Sequence, residues 1–196
     1  KLLTDPRDFI FSSIGHKFYV CDGSTIFQYD LTTNYDIRTS SYNSKKIQIS
    51  TVADVIESAL RGFKFKPDGT KLFVLGTDYD RVFEFDLSTA WDVTTATYSG
   101  NNLYIGGSTG TPYNLEFSGD GTKLFFSDND RYIWVNYLAT PWTLADGTRG
   151  GGTTLDMRNI YNSGIDRYYI DKVDKQDSYY YKAEEESKVL VVECYS

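Results

Sequence analysis

The sequence predicts an all-β chain, a propeller-type array of four-stranded antiparallel blades. Two observations carry this reading. The first is an internal echo: Lys66-Pro67-Asp68-Gly69-Thr70-Lys71-Leu72-Phe73 returns as Ser118-Gly119-Asp120-Gly121-Thr122-Lys123-Leu124-Phe125. Lys71 and Lys123 lie 52 positions apart and Trp91 and Trp142 lie 51 apart, a period that belongs to propellers and solenoids. The second is the short alternating runs of aromatic and β-branched residues between turn signals, with no sustained 3.6-residue period.

The second copy gives the elements in order. Gly62–Lys66 reads as a strand with Phe63 and Phe65 on one face. Pro67-Asp68-Gly69-Thr70 is a tight turn, in which Pro presets φ, Asp supports an Asx turn and Gly accepts positive φ. Lys71–Gly76 is an apolar run that suits a strand buried on both faces. Asp78-Tyr79-Asp80 turns the chain into a third strand, Arg81–Asp86. A link carrying Trp91 leads to a fourth strand near Leu103–Ile105. Val52–Leu60 is the one stretch that reads as a helical turn, and it falls where the first copy ends, as a loop insertion.

The other copies follow the same order. The first runs through Phe9-Ile10-Phe11, Lys17-Phe18-Tyr19-Val20, Phe27-Gln28-Tyr29-Asp30-Leu31 and Tyr35-Asp36-Ile37. The third runs through Leu115-Glu116-Phe117, Trp134-Val135-Asn136-Tyr137-Leu138 and Thr140-Pro141-Trp142. This divides residues 1–152 into three blades, about 5–59, 60–112 and 113–152. Residues 153–196 read as a degenerate fourth blade or a closing β-element. Lys1 standing directly ahead of a blade-like strand suggests a piece of a longer or processed protein.

The repeat resembles the PDGTK blades of YVTN-like and related bacterial propellers. It is most similar to a subset in which that turn is followed by the pattern seen here from Val82-Phe83-Glu84-Phe85-Asp86-Leu87 through Ser88-Thr89-Ala90-Trp91-Asp92-Val93 to Tyr98. That subset is associated with phage virion proteins and large secreted bacterial proteins. The resemblance implies a non-enzymatic structural or adhesive module of an extracellular assembly, a phage tail or fibre component in a virion first of all. A secreted or surface-anchored bacterial adhesin is the second alternative, and a secreted propeller enzyme acting on polysaccharide or a lactone is the third.

Composition narrows the partners. A net charge of −7, with Lys45-Lys46 the only adjacent basic pair among the repeats, argues against nucleic acid, which needs clustered Lys and Arg. No apolar run has the length of a membrane span. Other protein chains of the same assembly, or a surface glycan, are the expected partners.

Few residues carry candidate chemistry. Trp91 and Trp142 offer flat faces for a sugar ring if exposed, or anchors for the long link if packed. Asp78 and Asp80, with Asp128 and Asp130, form D-x-D hairpins that could contribute oxygens to Ca²⁺, but two side chains fall short of a full site and Asp is a favoured turn residue. His16 is the sole histidine and stands in a turn, so no triad or two-histidine metal site is expected, and no cofactor. Gly150-Gly151-Gly152 reads as a joint rather than a phosphate loop. Cys21 and Cys194 are either a disulfide between the ends or two buried thiols.

Overall fold

The computed structural model describes residues 3–55, 57–106 and 111–144 in full, and the backbone of four short strands beyond them. Alternating runs fold into successive antiparallel meanders. The first sheet has the order β1 (Pro6–Phe11), β2 (Lys17–Asp22), β3 (Thr25–Leu31), β4 (Ser40–Gln48). The second repeats it with β5 (Leu60–Phe65), β6 (Lys71–Gly76), β7 (Arg81–Leu87) and β8 (Ala96–Tyr104). The third has β9 (Pro112–Phe117), β10 (Lys123–Asp128), β11 (Tyr132–Tyr137) and β12 (Thr154–Asp156). These are propeller-type blades, as the repeat predicts. A separate unit from Asp156 onward holds a three-stranded antiparallel meander of β13 (Tyr169–Lys172), β14 (Tyr179–Lys182) and β15 (Leu190–Val192).

Two details differ from the sequence expectation. The fourth strand of the second blade begins at Ala96, well before Leu103, and pairs Phe85 with Tyr98 and Val82 with Leu103. A register shift between those pairs, with Gly100 at φ +88°, accommodates the polar Ser99–Asn102 stretch that hides the strand in the sequence. Val52–Leu60 forms no α-helix in its described residues. A 3₁₀ turn at Ile49–Thr51 precedes an irregular link that buries Val55 and Glu57.

The blades stack through their faces. Tyr19, Cys21 and Ile26 of the first blade meet Phe63, Phe65, Leu72, Val74, Phe83 and Phe85 of the second. Phe73, Leu75 and Val82, on the other face of the second, meet Leu115, Phe117, Leu124 and Phe126 of the third. Burial of whole aromatic side chains makes these two seams the main source of cohesion, each such side chain contributing roughly 1.5–3 kcal/mol. A polar contact locks each seam. Gln28 Oε1 accepts from Val93 N at 3.1 Å, and at the equivalent position Glu84 Oε2 accepts from Leu144 N at 2.6 Å. Stacking also sets the inner strands side by side, β1 against β5 and β5 against β9.

Candidate functional site

The inner strands assemble a polar cluster that no single stretch of sequence contains. Period-two alternation sends Phe63 and Phe65 of β5, and Leu115 and Phe117 of β9, into the seams. Gly62 and Lys64, and Asn114 and Glu116, therefore face the other way. Gly62 has no side chain, and its α-carbon lies between Asp8 and Asn114: a Cβ there would sit 3.4 Å from Asn114 Oδ1 and 3.5 Å from Asp8 Oδ2. One step along the strands, Lys64 Nζ pairs with Glu116 Oε2 at 2.8 Å.

Asp8 is the held member of this group. Its Oδ1 accepts from Phe9 N at 2.8 Å and its Oδ2 from Phe63 N at 3.0 Å. Burial pushes its carboxyl above the usual range, against those two N–H bonds and the Lys64 charge, and Glu116 adds to the rise. Cations flank the cluster. Arg61 lies over the ring of Tyr113, 5.6 Å from its centroid, and its Nε is buried with no acceptor among the described residues. Arg7 donates from Nη1 to Leu60 O at 3.1 Å and pairs with Asp5 at 2.7 Å. A carboxylate of raised proton affinity can take a proton from water, while an ammonium and an amide beside it can stabilise negative charge on a carbonyl oxygen.

The residues singled out in the sequence lie elsewhere. Trp91 and Trp142 sit at the far ends of the blades, on the Asp-Gly turns. Trp91 N donates to Gly69 O at 3.0 Å and its ring packs on Phe65, while Trp142 N donates to Gly121 O at 2.9 Å and its ring stacks on Phe117. Both are half-buried. Asp78 accepts from the backbone and hydroxyl of Ser58, which hold its carboxyl below the usual range. Asp128 accepts from Asp130 N, Tyr132 N and Trp134 Nε1. Asp80 occupies a hairpin corner at φ 49°. Among the described residues no three His, Cys, Asp or Glu side chains gather as a metal site. His16 contacts Ser12 Oγ at 3.2 Å within its own turn. Cys21 is a buried free thiol; Cys194 and Gly150–Gly152 lie outside the described residues.

Asp8, Lys64 and Glu116 were not singled out in the sequence because a polar residue beside an apolar one is ordinary in an alternating strand. In the repeat register Asp8, Gly62 and Asn114 each precede the first seam residue of their blade.

No protein-family model and no curated protein matches the sequence. Solved structures do. A candidate 6-phosphogluconolactonase from Bacteroides uniformis matches at TM-score 0.52 and 16% identity, over 96% of this chain and 56% of that one. A second, from Bacteroides fragilis, matches at TM-score 0.50 and 18% identity, over 77% of this chain and 42% of that one. A periplasmic gluconolactonase from Pseudomonas aeruginosa matches at TM-score 0.49 and 16% identity, over 76% and 42%. The chain thus spans about half the length of the structures it resembles, and what it shares with them is the fold. The two Bacteroides structures correct the expectation of a non-enzymatic virion tail, fibre or adhesin module, and of a virion setting: both are named as candidate lactonases. The blade motif led the sequence reading astray because it specifies turns and seams, which catalytic and structural propellers share.

Proposed function

We propose that this chain carries the catalytic surface of a propeller hydrolase that opens sugar lactones. The observation that carries the reading is the Asp8–Lys64–Glu116–Asn114 cluster on the inner strands. Two structures with the same fold, named as candidate 6-phosphogluconolactonases, support it. A secreted or periplasmic setting belongs to the same proposal.

The chemistry follows from the cluster. Water attacks the lactone carbonyl while the Asp8 carboxylate takes its proton, so a C–O bond forms and negative charge develops on the carbonyl oxygen. Lys64 supplies positive charge there, held in place by Glu116. Collapse breaks the ring C–O bond, and the proton on Asp8 passes to the leaving alkoxide, giving the hydroxy acid. Raised proton affinity suits Asp8 for this role, because a general base works best with a pKa nearer the working pH. Asn114, across the small Gly62, offers a hydrogen-bonding group to a sugar hydroxyl.

Proton release from δ-gluconolactone and from its 6-phosphate measures the activity. Hydrolysis above the spontaneous rate, reduced on the order of 100-fold or more in Asp8→Asn, is the expected result. Spontaneous-rate behaviour of the folded chain on both lactones would reject it.

A further inference from the structure

The second blade and the link that enters it form a pocket that shares no residue with the inner cluster. Its volume is about 390 Å³, and it is lined by Asp54, Val55, Tyr79, Arg81, Phe83 and Asn102. One wall is the link between β4 and β5; the other is the β6–β7 hairpin with β7 and β8. Both walls are fixed. Val55 is buried in the core of the first seam. Glu57, also buried, lies on the α-carbon of Gly76 and accepts from Ala59 N at 3.0 Å and Asp78 N at 3.1 Å. Asp78 in turn accepts from Ser58 N at 2.8 Å. These bonds tie the link to the hairpin, so the pocket stands formed before a ligand arrives.

Its charged groups stand on opposite walls. Arg81 is half-buried; its Nη1 donates to Asn102 Oδ1, and its guanidinium lies over the Tyr104 ring, 5.4 Å from the centroid. Those two contacts aim the group and leave most of its five N–H donors for a ligand. Among the described residues no carboxylate lies within ion-pair distance of Arg81, whereas Arg7 and Arg38 each pair with an aspartate at 2.7 Å. An unneutralised guanidinium in a concave site stands out in a chain of net charge −7. On the link wall Asp54 is exposed, with its backbone at φ 66°. Tyr79, 54% exposed, adds a flat aromatic face from the hairpin.

We propose that this pocket binds a sugar carrying a single carboxylate, a uronic acid unit of a glycan. The guanidinium fork of Arg81 matches a carboxylate through two parallel N–H···O bonds. A dianionic phosphate fits less well, because Asp54 sets a negative charge in the same pocket. The Asp54 carboxylate instead accepts from ring hydroxyls, and Tyr79 covers the C–H side of the ring. The volume lies at the lower end of the roughly 300–1,000 Å³ of small-ligand sites, as one sugar ring requires. This binding is independent of lactone hydrolysis, since a uronic acid glycoside has no ring ester to open.

Isothermal titration of the full chain with methyl glucuronide, methyl glucoside and glucose 6-phosphate tests this. The glucuronide should bind most tightly, with the other two weaker by about tenfold or more, the worth of a hydrogen-bonded charge. Arg81→Gln removes the charge and should weaken glucuronide binding by about tenfold or more while leaving the glucoside unchanged. Asp54→Asn suits the same left-handed backbone and should raise the affinity for glucose 6-phosphate, a gain that a misfolded chain would not show. Absence of glucuronide binding overturns the proposal. So does equal binding of the glucoside, or tighter binding of the phosphate by the native chain. Glucuronide binding that survives Arg81→Gln unchanged places the sugar elsewhere, the inner cluster included, and overturns it as well.

Discussion

The indole of Trp91 lies directly on the α-carbon of Gly69, and its backbone N–H donates to Gly69 O at 3.0 Å. Trp142 on Gly121 and Tyr35 on Gly15 repeat the arrangement, with each aromatic residue itself at positive φ, 63°, 57° and 61°. The turn glycine thus has two reasons to be glycine: a φ of +75° at Gly69, and a ring where a Cβ would go.

That double requirement is testable against a single one. Gly100 has φ +88° but open space around its α-carbon. Gly100→Ala should cost roughly 1–2 kcal/mol through left-handed strain alone. Gly69→Ala adds the displacement of the indole and should cost more, lowering the melting temperature by a larger step. At roughly 2–4 °C per kcal/mol the difference is readable by calorimetry. Equal shifts for the two variants would show that the indole is not the anchor.

The seam lock predicts an ordered pair of effects at Glu84. This carboxylate is fully buried, paired with Lys71 and accepting from Leu144 N. Glu84→Ala leaves both without it and should destabilise by about 3 kcal/mol. Glu84→Gln keeps an acceptor for Leu144 N, as Gln28 does for Val93 N in the first seam, and should lose markedly less. Urea unfolding of the three proteins orders them; Gln equal to Ala would remove the hydrogen bond from the explanation.

Much of the architecture was legible because repeated turns are local. Asp-Gly at 68–69 and 120–121 fixes the hairpin, and alternation of Phe63, Phe65, Phe83 and Phe85 fixes the face, so two strands and their register follow from residues a few positions apart. The start of β8 was not legible, because Ser99-Gly100-Asn101-Asn102 carries a turn composition while lying within a paired strand. The polar cluster was not legible from any one blade. Asp8, Lys64 and Glu116, each more than 50 positions from the next, meet only because the seams bring β1, β5 and β9 side by side. Trp91 and Trp142 attracted attention as large aromatics, yet they serve the turns at the other end of the blades.

Burial also sets the behaviour of Cys21. Its side chain lies in the first seam, and desolvation pushes the thiol up to about 11. Thiolate is the reacting form, so alkylation at pH 8 should be slow in the native protein and fast in urea. A Cys194→Ser variant isolates this thiol. Rapid stoichiometric labelling of the folded variant would place Cys21 outside the seam.

Acid sensitivity should come chiefly from the repeated turns and not from the inner cluster. Thr70 and Lys66 hold Asp68 down to about 2 despite partial desolvation, and the Ser118 hydroxyl with Thr122 N–H and hydroxyl hold Asp120 down to about 2. An unfolded aspartate titrates near ~3.9. Both groups therefore contribute stability that is present above about pH 4 and is lost as pH falls toward about 2. Asp8 has the opposite sign. Its folded value is raised, so its contribution is present at low pH and is lost as pH rises through that value. Asp120→Asn should flatten the fall in melting temperature between about pH 4 and 2, whereas Asp8→Asn should instead raise stability at neutral pH relative to the native chain. Lactone hydrolysis should follow the deprotonation of Asp8, with an acid limb lying above the ordinary carboxylate range. A profile whose acid limb is unmoved in Asp8→Glu, or an Asp8→Asn protein less stable than the native chain at pH 7, would detach Asp8 from the role assigned to it.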